Sequence, residues 1–284
     1  MCIVFIYVGS NDADSEYKLI LISNRDEFYD RPSQNMSPWE EDVNIYGGRD
    51  LQTGCEGGTW LALSTYNKKI GLLLNLPGVH KDNAKSRGKV VENYVKGDIK
   101  LISFVDSMKQ HFQECNEFVL VAVEFGCVII NVIPTVQTYN NGNNELKQWH
   151  DQYLGFSNSL PDQPLTKVEA GKCKLQDACN KYKKINNKDK LIEELIAVLK
   201  SEKSNLPDPQ LEERRPQIFK ELSSIFVKIP KARYGTRTHT IILLTKTGEM
   251  DIIEMSMKSP IDPLEPTWNN VTFSWHTQHK NSKQ

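Results

Sequence analysis

Short apolar runs separated by polar turns recur along the chain. Residues 2–8 and 17–24 flank Gly9-Ser10-Asn11-Asp12, residues 59–65 and 70–75 flank Asn67-Lys68-Lys69, and residues 118–124 and 127–133 flank Phe125-Gly126. Residues 239–245 and 250–256 flank Lys246-Thr247-Gly248. Each pair predicts an antiparallel hairpin, and a last short run at 271–275 brings the expectation to about nine strands. Helical periodicity lies between the hairpins. It covers Gly88–Lys96 and a stripe of Ile99, Ile102, Val105, Met108 and Phe112 at steps of three and four. Leu191, Leu195, Val198 and Leu199 predict a third helix, and Ile218, Leu222, Ile225 and Phe226 a fourth. Asp208-Pro209 reads as an N-cap followed by proline at the first helical position. The Asn- and Gly-rich residues 138–148 and residues 186–190 read as surface loops.

Hairpins alternating with helical blocks predict an α+β fold. The simplest burial scheme stacks two antiparallel sheets face to face with helices on both outer faces, a four-layer αββα sandwich. Residues 119–123 and 128–133 are almost wholly apolar, as strands covered on both sides should be. No linker and no repeat interrupts the pattern, so one domain over residues 1–276 with a polar tail at 277–284 is expected.

With 39% hydrophobic and 25% charged residues, the 284-residue chain has ordinary globular composition. Its 35 Lys+Arg against 36 Asp+Glu leave a net charge of -1, so no basic excess draws it onto nucleic acid. No apolar run approaches the roughly 18 residues of a membrane-spanning helix. The apolar residues 1–8 follow no positive stretch and precede no cleavage site, so they read as a strand of a cytoplasmic protein. Six cysteines without any C-x-x-C pair predict free thiols, most of them buried, rather than a zinc or redox motif. Phosphate-loop, dinucleotide, H-E-x-x-H and G-x-S-x-G signatures are all missing, and no metal-binding set is read.

Candidate chemistry gathers at strand ends. Removal of Met1 would leave Cys2 carrying both an amine and a thiol, the pairing used in N-terminal nucleophile catalysis; the alternative is a small strand residue. Asn24-Arg25-Asp26-Glu27 leaves the second strand with both charge signs. In extended chain Arg25 and Glu27 share one side and Asn24 and Asp26 the other, so one pair is expected to face Cys2, unless all four are a solvated strand end. Gly47-Gly48-Arg49-Asp50 and Gly57-Gly58-Thr59-Trp60 permit close backbone approach to a ligand. Asn75 and Asn158 end strands and offer amide donors for an oxyanion. Tyr234-Gly235-Thr236-Arg237-Thr238-His239-Thr240 leads into a strand with hydroxyls and a guanidinium suited to a carboxylate or phosphate.

Met1-Cys2-Ile3, Asn24-Arg25-Asp26-Glu27, Gly47-Gly48-Arg49-Asp50, Gly57-Gly58-Thr59-Trp60-Leu61-Ala62 and Ser86-Arg87-Gly88 occur in this order. Gly155-Phe156-Ser157-Asn158, Leu206-Pro207-Asp208-Pro209 and Tyr234-Gly235-Thr236-Arg237-Thr238 follow. Together they resemble the NRDE family, the transport and Golgi organization 2-like proteins, over nearly the whole chain. The resemblance implies a fold similar to the N-terminal nucleophile hydrolases. It also implies a role in haem movement, Golgi and secretory organisation and lipid or acyl-CoA homeostasis, with cytoplasmic, mitochondrial or Golgi association. By the same resemblance Cys2 matches the nucleophile position, and Arg25 with Asp26 or Glu27 matches the charged residues near it. Asn158 and Arg237 match the later amide and guanidinium. His239 departs from an expected Asn.

Three readings follow. The first is a carrier of haem or another amphipathic small molecule such as acyl-CoA, with haem as cargo rather than a required cofactor and Cys2, His80 or His239 as iron ligands. The second is an amide or thioester hydrolase acting through Cys2, with Arg25, Asp26, Asn158 and Arg237 in the catalytic set. The third is a Golgi scaffold acting through protein contacts. In the first two, Asn24, Glu27, Arg49, Asn75 and His239 are the expected ligand-binding residues.

Overall fold

Strict alternation in β1 (Ile3–Val8) sends Ile3, Phe5 and Tyr7 to one face and Val4 and Ile6 to the other, and both faces are buried. That double burial organises the molecule. The computed structural model describes residues 2–9, 11–78, 81–126 and 132–276. In chain order β2 (Tyr17–Phe28), β3 (Ser33–Trp39), β4 (Asp42–Asp50), β5 (Leu61–Ser64) and β6 (Lys69–Asn75) precede α1 (Gly88–Lys96) and α2 (Leu101–Glu114). Then come β7 (Phe118–Glu124), β8 (Thr135–Asn140), β9 (Glu145–Trp149) and β10 (Tyr153–Ser157). The helices α3 (Thr166–Lys181), α4 (Lys188–Leu199), α5 (Pro209–Arg214) and α6 (Phe219–Leu222) follow. The chain closes with β11 (Lys228–Ile229), β12 (Tyr234–Thr245), β13 (Glu249–Met257) and β14 (Trp268–His276).

Two antiparallel sheets result. The first runs β10-β1-β2-β12-β13-β14 with β11 on β12; the second runs β3-β4-β5-β6-β7-β8-β9. Val4, Ile6, Leu19, Leu21, Ile242 and Leu244 of the first sheet meet Leu61, Leu63, Leu72, Val119, Val121 and Val123 of the second in a shared apolar layer. The other face of the first sheet, with Phe5, Ile20, Ile22 and Ile241, is covered by α3, α4 and α5 through Val168, Leu175, Leu191, Leu195 and Leu211. The outer face of the second, with Ala62, Leu120 and Ala122, is covered by α1 and α2 through Val91, Tyr94, Leu101 and Phe104. The expected α+β sandwich, helix on sheet on sheet on helix, is the observed one. No helix of the described residues is long and apolar enough to cross a membrane.

Several local expectations need correction. Residues 138–148 are not a loop: β8 and β9 pair there, Tyr139 opposite Leu146 and Val136 opposite Trp149, around a turn at Asn141–Asn144. β3 and β4 form a further hairpin, which lifts the strand total among the described residues above nine. Helix α2 buries Leu101, Phe104, Val105 and Phe112, whereas Ile99 precedes it and Ile102 is exposed, so the expected stripe is displaced around the helix. Residues 186–190 form a 3-10 turn running into α4, and α6 ends at Leu222, before Ile225 and Phe226. The N-cap holds: Asp208 accepts from the Leu211 amide with Pro209 at the first helical position. Cys2, Cys55, Cys115, Cys173 and Cys179 are free thiols, although only Cys115 and Cys179 are fully buried. Residues 127–131, which include Cys127, together with His80 and the tail 277–284 lie outside the described residues.

Candidate functional site

The register of the first sheet assembles the site. Ile3 stands opposite Ser157 on one side and Asn24 on the other, so the preceding residue, Cys2, falls between Asn158 and Arg25. Arg25 is in turn opposite Thr238, and Thr238 opposite Ser256. Alternation points this row toward the second sheet, at one end of the sandwich. Cys2 is half-buried against the inter-sheet layer, with Sγ 3.9 Å from the Asp26 carbonyl. Burial pushes its thiol above the ordinary range, and the charge of the amino terminus and, more weakly, that of Arg25 act against it.

Arg25 is buried, with its guanidinium 3.9 Å over the Trp60 ring and Nη1 donating to Ser33 Oγ at 3.3 Å. No carboxylate lies within ion-pair distance of it among the described residues. Burial lowers its pKa, and Glu27, Cys2 and Asp50 act in the opposite direction. Asn158 donates Nδ2 to the Asn75 carbonyl at 2.6 Å, tying the first sheet to the end of β6, while its Oδ1 is buried with no partner among the described residues. Arg214 donates to the Asn158 carbonyl.

The alternate residues of β2 face the helices. Asn24 donates Nδ2 to the carbonyls of Leu199 (2.8 Å) and Ile225 (2.9 Å) and meets His239 Nδ1 at 2.7 Å. Asp26 accepts from Thr236 Oγ1 at 2.6 Å. The expectation that one pair of the quartet faces Cys2 therefore resolves in favour of Arg25. Asn24 and His239 are corrected to the opposite face, where their hydrogen bonds close the packing of α4 onto the sheet. Glu27 lies at the strand end and approaches Arg31 at 3.8 Å.

Arg237 occupies a β-bulge between Thr236 and Thr238. Its Nη1 donates to the carbonyls of Phe28 (3.0 Å), Tyr29 (3.4 Å) and Arg31 (2.6 Å), clamping the turn after β2. Burial, then the like charge of Arg25, brings its pKa down to about 10. Arg49 is corrected outright. It stacks at 3.4 Å on Trp39, donates to Gly57, and pairs with Glu41 and, at 3.6 Å, with Glu92 of α1, all on the helix-covered side of the second sheet.

Two charged residues were missed in the sequence. Lys167 of α3 is fully buried, donates Nζ to the Ser224 carbonyl at 3.1 Å, and is held down in pKa by burial while the charges of Asp26 and Cys2 act against that. It lies on the same helix stripe as Gly171 and Leu175, so a lysine in a buried phase was the available signal. Glu254 of β13 is also buried, accepting from the Met36 amide at 2.8 Å and from Ser256 Oγ at 2.9 Å. Burial raises its pKa. Its signal was a carboxylate in the alternation Met250, Ile252, Glu254. No group of three or more His, Cys, Asp or Glu suited to a metal ion occurs among the described residues.

Comparison with known proteins adds the lineage of this arrangement. The family model described as Transport and Golgi organisation 2 matches residues 1–259. The chain is 34% identical to Transport and Golgi organization protein 2 of Drosophila melanogaster over 95% of this chain and 96% of that protein. It is 32% identical to the Homo sapiens homolog and 31% to that of Bos taurus, in each case over 98% of this chain and 100% of the relative.

Proposed function

Because the chain belongs to the Transport and Golgi organisation 2 family, we propose that it serves transport linked to Golgi organisation by carrying a small amphipathic ligand, with haem the first candidate and acyl-CoA the second. The binding centre in this reading is the Cys2 end of the sandwich, on a scaffold of N-terminal nucleophile hydrolase type. A cytoplasmic protein associating with Golgi and mitochondria belongs to the same proposal.

One observation carries it. A half-buried thiol sits in register between an amide and a guanidinium that has no carboxylate within ion-pair distance among the described residues. A thiolate is a haem-iron ligand, and a guanidinium pairs with a carboxylate such as those on the haem edge. A hydrolase needs free donors for an oxyanion, and one hydrogen of the Asn158 amide is already given to the Asn75 carbonyl, which supports holding over cutting.

Haemin titration followed in the visible spectrum tests the reading, with amide and thioester turnover measured in parallel. Wild type is expected to bind haemin saturably, Cys2→Ala to lose the thiolate spectral signature, and Arg25→Gln to bind about tenfold more weakly, the value of one charge-assisted hydrogen bond. Ligation displaces the thiol proton, so affinity should rise with pH through neutrality, by at most about tenfold per unit below the thiol pKa. Wild-type turnover that vanishes in Cys2→Ala, without haemin binding, would replace the carrier with the hydrolase.

A further inference from the structure

On the opposite face of the first sheet from Cys2, the ends of β11 and β14 and the segment after α4 enclose a hollow of about 240 Å³. Its apolar walls include Tyr29, Phe226, Met257 and Trp268. Three of these walls, Tyr29, Phe226 and Met257, are themselves buried and pack with Ile261 in a small cluster separate from the main cores, so the cavity is backed by fixed side chains. Behind it lies His239, 1% exposed, stacked on Trp268 with centroids 4.9 Å apart and planes 13° apart, and 5.7 Å from the Phe226 ring. This fixes the indole orientation. The imidazole is neutral, because burial and the charge of Lys200 hold its pKa near about 3.

The polar lining is cationic. Lys200 and Lys228 face the hollow against one carboxylate, Glu202, and none of the three takes part in an ion pair among the described residues. Lys200 Nζ stands 5.9 Å from the Trp268 ring. Ammonium groups outside any ion pair among the described residues, at the rim of an aromatic hollow, complement a flat apolar body carrying a negative charge. At this volume the ligand is small. We propose that this hollow is a binding site for a small aromatic carboxylate, its ring against Trp268 and its charge held by Lys200 and Lys228. The site is separated from Cys2 by the sheet itself and does not depend on the carrier reading.

Naphthalene-2-carboxylate is the probe, titrated calorimetrically into the full chain, with naphthalene-2-methanol as its uncharged counterpart. One equivalent of the carboxylate should bind saturably, at least tenfold more tightly than the alcohol and less tightly as salt is added. The Lys200→Gln, Lys228→Gln double variant should lose that tenfold preference while keeping its thermal midpoint, and Cys2→Ala should bind as wild type. The Trp268 indole N–H resonance, assigned with Trp268→Phe, should shift during the titration. Absence of saturable binding at millimolar probe, binding indifferent to both lysine substitutions, an unmoved Trp268 resonance, or binding abolished by Cys2→Ala would each overturn the proposal.

Discussion

The two amide hydrogens of Asn24 go to the carbonyls of Leu199 and Ile225, so its Oδ1 is left to accept, and the proton on His239 must reside on Nδ1. Nε2 of the same ring is buried with no partner among the described residues. A second proton there would be a bare charge in an apolar layer, which is why the pKa falls to about 3. The unfolded chain binds that proton below about pH 6.5, whereas the folded chain does not until about pH 3. The unfolded state therefore holds more protons between those values, and stability drops as pH falls through that window by up to about 1.4 kcal/mol per unit. Urea unfolding of wild type and His239→Gln across this range should show the variant with the shallower acid slope. Equal slopes would mean that the imidazole is not held neutral.

Packing between elements depends on shape as much as on polarity, and the contact between α3 and β1 is the clearest case. A Cβ placed on Gly171 would lie 2.0 Å from the Phe5 ring. Gly171→Ala must push the helix off the sheet or turn the ring, at a cost of about 1–3 kcal/mol. A fall in the urea midpoint with unchanged slope is the expected reading, and wild-type stability in the variant would refute this packing. Elements with a one-sided or doubly apolar pattern, such as β7 and β12, were legible from the chain because burial alone dictates their form. β3 was not: only Met36 and Trp39 of its residues are buried, Pro38 interrupts it, and its register to β4 shifts, as befits a polar edge strand. The β8–β9 hairpin was hidden by its Asn- and Gly-rich turn, whose composition outweighed the flanking Val136, Tyr139 and Trp149. The strand-end motifs named Cys2, Arg25 and Asn158 as candidates, but which pair of the quartet faces the thiol followed only from the register of three strands. Lys167 and Glu254 escaped because what surrounds them comes from elements distant in sequence.

Across the whole molecule, an apolar layer and a few polar ties join the two sheets. Glu254 on β13 accepts the Met36 amide of β3, and Asn158 after β10 donates to the end of β6. Replacing Glu254 with Leu strands the Met36 N–H in a dry layer, which should cost about 1–3 kcal/mol, while Glu254→Gln retains an acceptor and should cost less. Denaturant melts of the two variants decide this, and equal losses would show that charge, not the hydrogen bond, is what the site requires.

The same sandwich makes β2 a segment with two audiences. Its odd-numbered stretch of Ser23 and Arg25 addresses the neighbouring sheet, and Asn24 and Asp26 address the helices. Because side chains change sides at every step, inserting or deleting a single amino acid before Asn24 would exchange their destinations, thrusting a guanidinium among aliphatic groups and handing an amide to the thiol. Length, as much as identity, is thus part of what this short stretch encodes.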